Sequence, residues 1–516
     1  MTAQLSPSSP AVRSASLTEW LGLAVLVLPT FLLSLDMTVL HLAVPHLSAD
    51  LRPTSAQLLW ILDIYGFMIA GFLITMGTLG DRIGRRRLLL CGAIAFAVAS
   101  ALAAFSTSAE MLIATRALLG IAGATLMPST LSLIRNMFEV PAQRTIAITV
   151  WMTGFIVGSA LGPLIGGALL EYFWWGSVFL LGIPVMVLLL IAGPLLLPEY
   201  KDKNAGALDF GSALLSITMM LAVIYGLKDI ARNGVNIIAV ISMIAGIGIG
   251  SLFIRRQRAL ADPMFDLKLF LNRAFSTSVA ALLLSILALS GAWFLVFQYL
   301  QGVLGLSPLK AGLLMVPATL AQIGGSFMIP WLSQKVRPGI LVSSGLLLAT
   351  TGFLLMTQVD GSDTTGFLIA ATIIMGLGVM PMTILGTDLV IGSAPASKAG
   401  VASATSETAA ELGMALGIAI IGSVGTAVYR QYMLAAMPAG VAPEQANVAA
   451  DTLGGALSVA AQLASEQSIQ LLQATREAFT LALHTNAVIG AVIVAATAIF
   501  TALYLRHLPA SGGAGH

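Results

Sequence analysis

Charge and cysteine are both scarce in this chain. Lys, Arg, Asp and Glu together make up 9% of its 516 residues, whereas soluble globular proteins carry about 25%. Hydrophobic residues account for 58%. The single cysteine, Cys91, excludes an intramolecular disulfide and says nothing about the compartment. This composition excludes a soluble globular protein and indicates a polytopic membrane protein.

Signatures of enzymes and of ATP-driven pumps are also missing. The chain contains no Gly-Lys dipeptide, so it has no GxxxxGK[ST] phosphate-binding loop. It contains no HExxH motif, no Asp-rich metal motif and no Ser/His/Asp arrangement. The histidines are expected at helix ends, in loops or in the C-terminal tail: His41, His46, His484, His507 and His516. We therefore expect neither an enzyme nor an ATP-driven pump, and no metal or cofactor.

Long apolar stretches, separated by charged or Gly/Pro-rich breaks, recur along the whole chain. A helix needs about 20 apolar residues to span a bilayer. The first stretch is too long for the hydrophobic region of a signal peptide and contains an acid, so we expect it to be retained. The pattern predicts an all-α membrane protein with fourteen helices, at residues 20–43, 57–79, 87–106, 111–135, 145–168, 174–197, 207–227, 235–254, 276–298, 310–332, 338–357, 365–391, 399–428 and 483–506.

The distribution of basic residues predicts the orientation of the helices. Most of the 25 lysines and arginines fall in segments on the side of the N-terminus. Because cytoplasmic loops carry the excess of Lys and Arg, both termini are predicted to be cytoplasmic. In this assignment Lys228 belongs to a segment on the outer side.

The order of the stretches predicts five parts. A cytoplasmic tail at 1–19 precedes a six-helix bundle at 20–200, an inserted helix pair at 201–260, a second six-helix bundle at 261–506 and a tail at 507–516. Within the second bundle, residues 429–482 form the longest outer connection. Its Ala-rich helix formers, interrupted at Gly454 and Gly455, predict a helical hairpin outside the membrane. A disordered loop is the alternative.

Three charged residues interrupt the apolar runs of the first, second and fourth predicted helices. Asp36 and Asp63 interrupt the first and second helices, and Arg116 lies in the fourth. A charged residue at the bilayer centre costs roughly 2.5–3.5 kcal/mol on insertion scales, so a functional role is expected. Counted along the helices, all three lie at about the same height, in the outer half. Two acids that compete for one arginine would form a proton switch.

A second pair of acids lies in the thirteenth helix. Glu407 and Glu411 are four residues apart and therefore share one helix face. They are expected at or just below the midplane. Because two adjacent buried carboxylates repel each other when both are ionised, at least one is expected to hold a proton or to bind a cation. The alternative is that one of them reaches the cytoplasmic interface.

Two glycine-containing motifs punctuate the first bundle. The stretch GTLGDRIGRRRLLL joins the second and third helices, and its glycines let the helix ends approach each other. The stretch WMTGFIVGSALGPLIGGALL places small residues at four-residue spacing, which favours close helix packing. The residues that define the two motifs are, for the first, Gly77, Asp81, Arg82, Gly84, Arg85 and Arg86, and, for the second, Gly154, Gly158, Gly162, Pro163, Gly166 and Gly167.

These motifs resemble three signatures of the major facilitator superfamily: its helix 2–3 loop, its helix-four motif around Arg116 and its helix-five antiporter motif. The stretch LDMTVLHLAVPHL resembles the helix-one pattern of the fourteen-helix drug:proton antiporters, with His41 where Asn is usual. Within that group the chain is similar to the multidrug and quaternary-ammonium exporters of the QacA, SmvA and LfrA type. The resemblance implies a major facilitator fold of two six-helix bundles plus two inserted helices, in the bacterial cytoplasmic (inner) membrane.

The resemblance also implies a function. It implies proton-driven export of lipophilic mono- and dications, such as quaternary ammonium biocides, dyes and methyl viologen, with acids of helices one, two and thirteen handling protons and cations. The tenth helix contains no acid, which argues against any role that depends on a carboxylate there. Lipophilic cations, protons and the bilayer are the expected partners, with no nucleic acid, and the protein is expected to be a monomer.

Aromatic and Met side chains can form an adaptable cavity wall beside the buried acids, where they hold organic cations by cation–π attraction. The candidates are Tyr65, Phe67, Met68, Trp151, Phe155, Trp293, Phe297, Met315, Met380 and Met382. For each of them plain helix packing or lipid contact is the alternative. At the level of function, proton-coupled transport of a natural metabolite, lipid or siderophore stays open, because fold does not determine substrate.

Overall fold

The computed structural model describes residues 14–201, 209–260, 263, 267–361, 364–395 and 399–506. The described residues form helices and no strands, and fourteen helices are long and apolar enough to cross a membrane. This confirms the predicted fold class and the number of helices. The tails at 1–13 and 507–516 lie outside the described residues.

We number the fourteen membrane helices α1 to α14 in chain order. Their bounds are Leu17–Leu51, Ser55–Ile83, Arg85–Ala104, Ala109–Met137, Ile146–Tyr172, Ser177–Leu196, Phe210–Asn233, Ile237–Ala259, Arg273–Val303, Pro308–Ser333, Pro338–Met356, Thr365–Gly392, Val401–Ala435 and Ser465–Tyr504. Helices α9 and α13 contain wide π turns at Tyr299–Val303 and Gly417–Ile421.

Several helices begin before their apolar runs, because polar residues cap them. Ser16 caps α1, where Glu19 accepts a hydrogen bond from the Ser16 backbone amide at 2.8 Å. Thr54 and Gln57 form the same reciprocal capping box at the start of α2. The predicted starts at 20 and 57 therefore lie inside the observed helices.

The helices pack as two six-helix groups with a pair beside them. In the first group, α1 packs on α5 and α2 packs on α4; in the second, α9 contacts α12, α13 and α14. Helices α7 and α8 pack on each other, and α7 also contacts α2 and α13, one helix of each group. Since α2 also packs on α13, the two groups meet along a seam that α7 covers.

An even number of crossings puts the start of α1 and the end of α14 on one side, which we call the terminal side. The connection between α13 and α14 lies on the opposite side, which we call the hairpin side. The prediction that the terminal side faces the cytoplasm stays a prediction.

The predicted outer hairpin is shorter than expected. Helix α13 continues to Ala435 and α14 already begins at Ser465, so two short helices, Pro443–Asp451 and Leu453–Ala460, occupy the connection. They are separated at Thr452 rather than at Gly454 and Gly455. The hydroxyl of Thr452 caps the second short helix by accepting a hydrogen bond from the Gly455 amide at 2.9 Å.

Candidate functional site

Arg116 and Asp36 form a buried ion pair between α4 and α1. The Arg116 Nη1 atom lies 2.6 Å from Asp36 Oδ2, and the two side chains are 2% and 11% exposed. Arg116 Nε also donates to the backbone carbonyl of Ile61 at 3.2 Å, and its guanidinium stacks 4.4 Å above the Tyr65 ring. The guanidinium is thus held by α1 and α2 together, and its charge is balanced inside the bundle.

Asp63 does not share Arg116 with Asp36; it pairs with Lys228. The Lys228 Nζ atom lies 2.7 Å from Asp63 Oδ2 and 3.0 Å from Oδ1, with side-chain exposures of 1% and 0%. The assignment of Lys228 to an outer segment was wrong, because α7 continues to Asn233 and carries the lysine into the protein interior. The expected competition of two acids for one arginine is replaced by two separate ion pairs.

Both ion pairs border one small cavity of about 30 Å³, which has room for about one water molecule. Asp63, Arg116 and Tyr65 line it from the first group of helices, and Met414 lines it from α13. The Tyr65 hydroxyl is buried and finds no hydrogen-bond partner among the described residues. The three charged residues predicted at one height are therefore brought together, with an unpaired hydroxyl beside them.

A larger cavity of about 280 Å³ lies between the two groups of helices. Its wall comes from α1 and α5 on one side and from α9, α10, α12 and α13 on the other. No carboxylate lines it among the described residues. Apart from His41, the polar wall residues are neutral and include Ser34, Thr38, Ser159, Ser290, Thr319 and Gln322.

The large cavity is closed on the hairpin side. There α5 meets α10 so tightly that a methyl group on Gly167 would lie 2.8 Å from Leu309 Cα. The face of α5 that lines the cavity becomes more exposed toward the terminal side: Pro163 is buried, whereas Met152, on the same face, is 56% exposed.

The ten aromatic and Met candidates divide by position. Phe155, Trp293, Phe297, Met315 and Met380 line the large cavity, and Tyr65 lines the small one. Trp151 lines neither of these two cavities; it is buried between helices, where its Nε1 donates to Thr130 Oγ1 at 3.2 Å. Three others are buried in helix packing: Phe67, Met68 and Met382.

The two cavities share part of their wall. Met37, His41 and Met414 line both. The expectation that His41 lies at a helix end was wrong, because α1 continues to Leu51. The His41 ring stacks on Phe297 with a centroid distance of 6.4 Å, and its buried Nδ1 has no partner among the described residues. His41 therefore stands between the large apolar cavity and the buried charges.

Glu407 and Glu411 follow one face of α13. Glu411 is 5% exposed, and its Oε2 atom is buried with no hydrogen-bond partner among the described residues. Glu407 is half-buried and lies within electrostatic range of Arg135, at the terminal-side end of α4. Glu411 is in turn within electrostatic range of Tyr65. This second pair of acids lies closer to the terminal side than the two ion pairs do.

The α2–α3 motif forms a compact ionic turn on the terminal side. Arg85 Nη2 lies 2.6 Å from Asp81 Oδ1, and Gly84 adopts a φ of +115° between the helices. Glu199, after α6, accepts a hydrogen bond from the Arg86 amide at 3.1 Å. The turn favours glycine at this position for its φ, and a side chain there would displace the Glu199 carboxylate. Gly77 approaches Pro128, and Arg82 is exposed.

The glycines of α5 form its contact with α1. A methyl group at Gly158 would collide with Ser34 and the Phe31 carbonyl, and one at Gly162 would collide with Thr38. In the same way, valine side chains of α1 occupy the space beside Gly154 and Gly166. These contacts place Ser34 and Thr38 on the cavity wall.

Lys228 and Glu199 were missed as site residues. Lys228 was placed in an outer segment because it lies next to the predicted end of an apolar run, and Glu199 lies just after another such end. The only available signal was the charge of Asp63 inside an apolar helix. That charge required a buried partner, and no residue close to Asp63 in the sequence provided one.

Comparisons with known proteins identify the family of the chain. The family model described as Major Facilitator Superfamily matches residues 26–418. The chain is 44% identical to the multidrug efflux pump LfrA of Mycolicibacterium smegmatis, over 96% of this chain and 98% of that protein. It is 34% identical to the methyl viologen resistance protein SmvA of Salmonella typhimurium, over 89% of this chain and 93% of that protein.

Solved structures share the fold at lower identity. A bacterial homolog of the human lysosomal transporter Spinster, in an inward-facing and unoccupied conformation, aligns with a TM-score of 0.65 at 17% identity, covering 95% of this chain and 98% of that chain. The peptide transporter POT in complex with sulfate aligns with a TM-score of 0.59 at 20% identity, covering 89% and 94%. These likenesses concern the arrangement of the helices.

Proposed function

Because the chain belongs to the Major Facilitator Superfamily, and is thus a multi-pass transporter of the bacterial inner membrane rather than an enzyme, we propose that it exports lipophilic cations in exchange for protons. The main observation in support of this proposal is that the two cavities share part of their wall. One cavity is large, apolar and aromatic, and the other holds Asp63 and Arg116. The relatives named for multidrug efflux and methyl viologen resistance support cationic drugs as the substrates.

The large cavity suits the apolar part of such a substrate. Trp293 and Phe297 stack on each other with centroids 5.7 Å apart, and Met37, Met315, Met380 and Met414 complete an adaptable wall. Aromatic faces attract cations even where no carboxylate is in contact. The net charge of a cation would then be balanced by the acids behind His41 and along α13.

The acids also suit proton exchange. Asp36, Asp63, Glu407 and Glu411 are all held in α1, α2 and α13, the helices that line or adjoin the two cavities. In this proposal a proton that binds one of them weakens the hold on the cation, and its loss on the terminal side restores that hold. The proton gradient drives the cycle, and alternating access of the cavity completes it.

Dye efflux from cells tests this function. Cells that express the protein and are loaded with ethidium should lose the dye when energised, and a protonophore should stop the loss. Asp36→Asn and Asp63→Asn, present in the membrane at wild-type levels, should each abolish the loss. Equal retention of ethidium with and without the protein would favour transport of a natural metabolite, lipid or siderophore instead.

A further inference from the structure

The inserted helix pair contributes a charge to the centre of the transporter. Helix α7 lies across the seam between α2 and α13, with Ile217 filling the space at Gly71 and Ile224 packing on Phe67 and Ala415. From this position it directs Lys228 inward. A helix that served only as a lipid-facing spacer would not need a buried ammonium group, which is costly to place in a membrane.

The surroundings of the Lys228 ammonium are those expected for a bound organic cation. The carboxylate of Asp63 lies 2.7 Å away, and the ammonium lies 3.8 Å from the centroid of the Trp60 ring. A carboxylate together with an aromatic face is the combination that recognises ammonium ligands. The ammonium group of Lys228 thus fills a site whose chemistry would also suit a free organic cation.

We propose that Lys228 is a tethered cation that competes with the transported cation for Asp63. The inference rests on the proposed function and deepens it. When Lys228 holds Asp63, a substrate cation cannot pair with that carboxylate. When Asp63 takes up a proton, the ammonium loses its partner, and the site is reset. The other titratable or charged groups around Asp63 come from α1, α2, α4 and α13: Asp36, His41, Tyr65, Arg116 and Glu411.

The next turn of α7 links this competition to the hairpin side. Arg232, four residues after Lys228, pairs with Asp451 of the first short helix at 3.1 Å, and Asp451 also pairs with Arg430 of α13. A shift of Lys228 on release from Asp63 would therefore move a helix that is connected to the closed end of the cavity. Lys228 is a positioning residue for Asp63 in this account.

Equilibrium binding of ethidium to the purified, full-length protein at neutral pH tests the competition. Lys228→Gln removes the competitor and should lower the Kd for ethidium by roughly tenfold, as expected for loss of a close charge pair. Lys228→Arg, which keeps the charge, should give a smaller change. The double variant Asp63→Asn with Lys228→Gln removes the carboxylate as well and should lose the gain.

Lys335 provides a matched control. Its ammonium lies 4.0 Å above the Trp331 ring at an exposed position on the terminal side, so it resembles Lys228 in its aromatic contact but not in its burial. Lys335→Gln should leave the Kd unchanged. A Kd for folded Lys228→Gln equal to or higher than that of the wild type would overturn the proposal, and so would a double variant that binds as tightly as Lys228→Gln.

A measurement on the wild-type protein keeps the test independent of whether the variants fold. Ethidium should displace Lys228 and speed its reductive methylation, measured by mass spectrometry of the peptide. An unchanged rate at saturating ethidium would overturn the proposal while leaving export intact. A wild-type protein that neither binds nor exports ethidium would instead overturn the proposed function and, with it, the role of Lys228.

Discussion

Lys228 and Asp63 are 165 residues apart in the chain, yet their side chains lie 2.7 Å apart in the interior. The pair joins the inserted helices to the first group of helices. Together with the Arg116–Asp36 pair it neutralises the two central acids, whereas neither Glu407 nor Glu411 has an equally close cation among the described residues. Each pair must open before its own acid can bind a substrate cation.

Arg116→Lys should weaken the centre without removing its charge. Lysine lacks the planar fork that lets Arg116 contact Asp36 and the Ile61 carbonyl while stacking on Tyr65. One lost buried hydrogen bond costs about 1–3 kcal/mol. We expect a lower Tm in detergent and efflux reduced by about tenfold. Arg337→Lys, at an exposed position, should change neither.

The contact between α1 and α5 should not tolerate a side chain at Gly158. A methyl group there meets the backbone carbonyl of Phe31, which cannot move aside as a flexible side chain can. Gly158→Ala should therefore abolish efflux or accumulation in the membrane. Gly248→Ala, on α8, adds its methyl group to open space and should be neutral. Wild-type efflux by Gly158→Ala would show that the α1–α5 contact is looser than described.

The large cavity should change its charge preference when it gains an acid. Gln322 lines the cavity from α10, where no carboxylate is present among the described residues. Gln322→Glu places a negative charge beside the bound substrate. We expect efflux of a dication such as methyl viologen to increase relative to that of ethidium, measured as the ratio of the two rates. Gln334→Glu, exposed beyond the end of α10, is the control and should leave the ratio unchanged.

The two short helices on the hairpin side should depend on Asp451. It pairs with Arg232 of α7 and with Arg430 of α13, and an amide in its place loses both ionic contacts. Partly exposed pairs contribute about 0–1 kcal/mol each, so the fold should persist while the connection loosens. Hydrogen exchange at 443–460 should become faster in Asp451→Asn and stay at the wild-type rate in Glu444→Gln. Identical exchange in the two variants would contradict the bridging role.

Most of the architecture could be predicted from local patterns in the sequence. The number of helices follows from the apolar runs, because each helix that crosses the bilayer needs an apolar run of its own. The small-residue face of α5 was visible because its period matches the helix. By contrast, Asp63 was expected to compete with Asp36 for Arg116, and Lys228 was assigned to an outer segment, since a pairing across 165 residues leaves no trace in either neighbourhood. The start of α14 at Ser465 was missed because its first turns are polar and lie before the apolar run.

A proton gradient by itself should move cations through this protein. Purified protein reconstituted in liposomes, with a pH gradient imposed and no nucleotide present, is the direct measurement. The account predicts accumulation of ethidium on the acidic side of the membrane, with proton movement in the opposite direction, and loss of both in Asp63→Asn. Ethidium movement that is independent of the gradient, or equal in Asp63→Asn and the wild type, would contradict it.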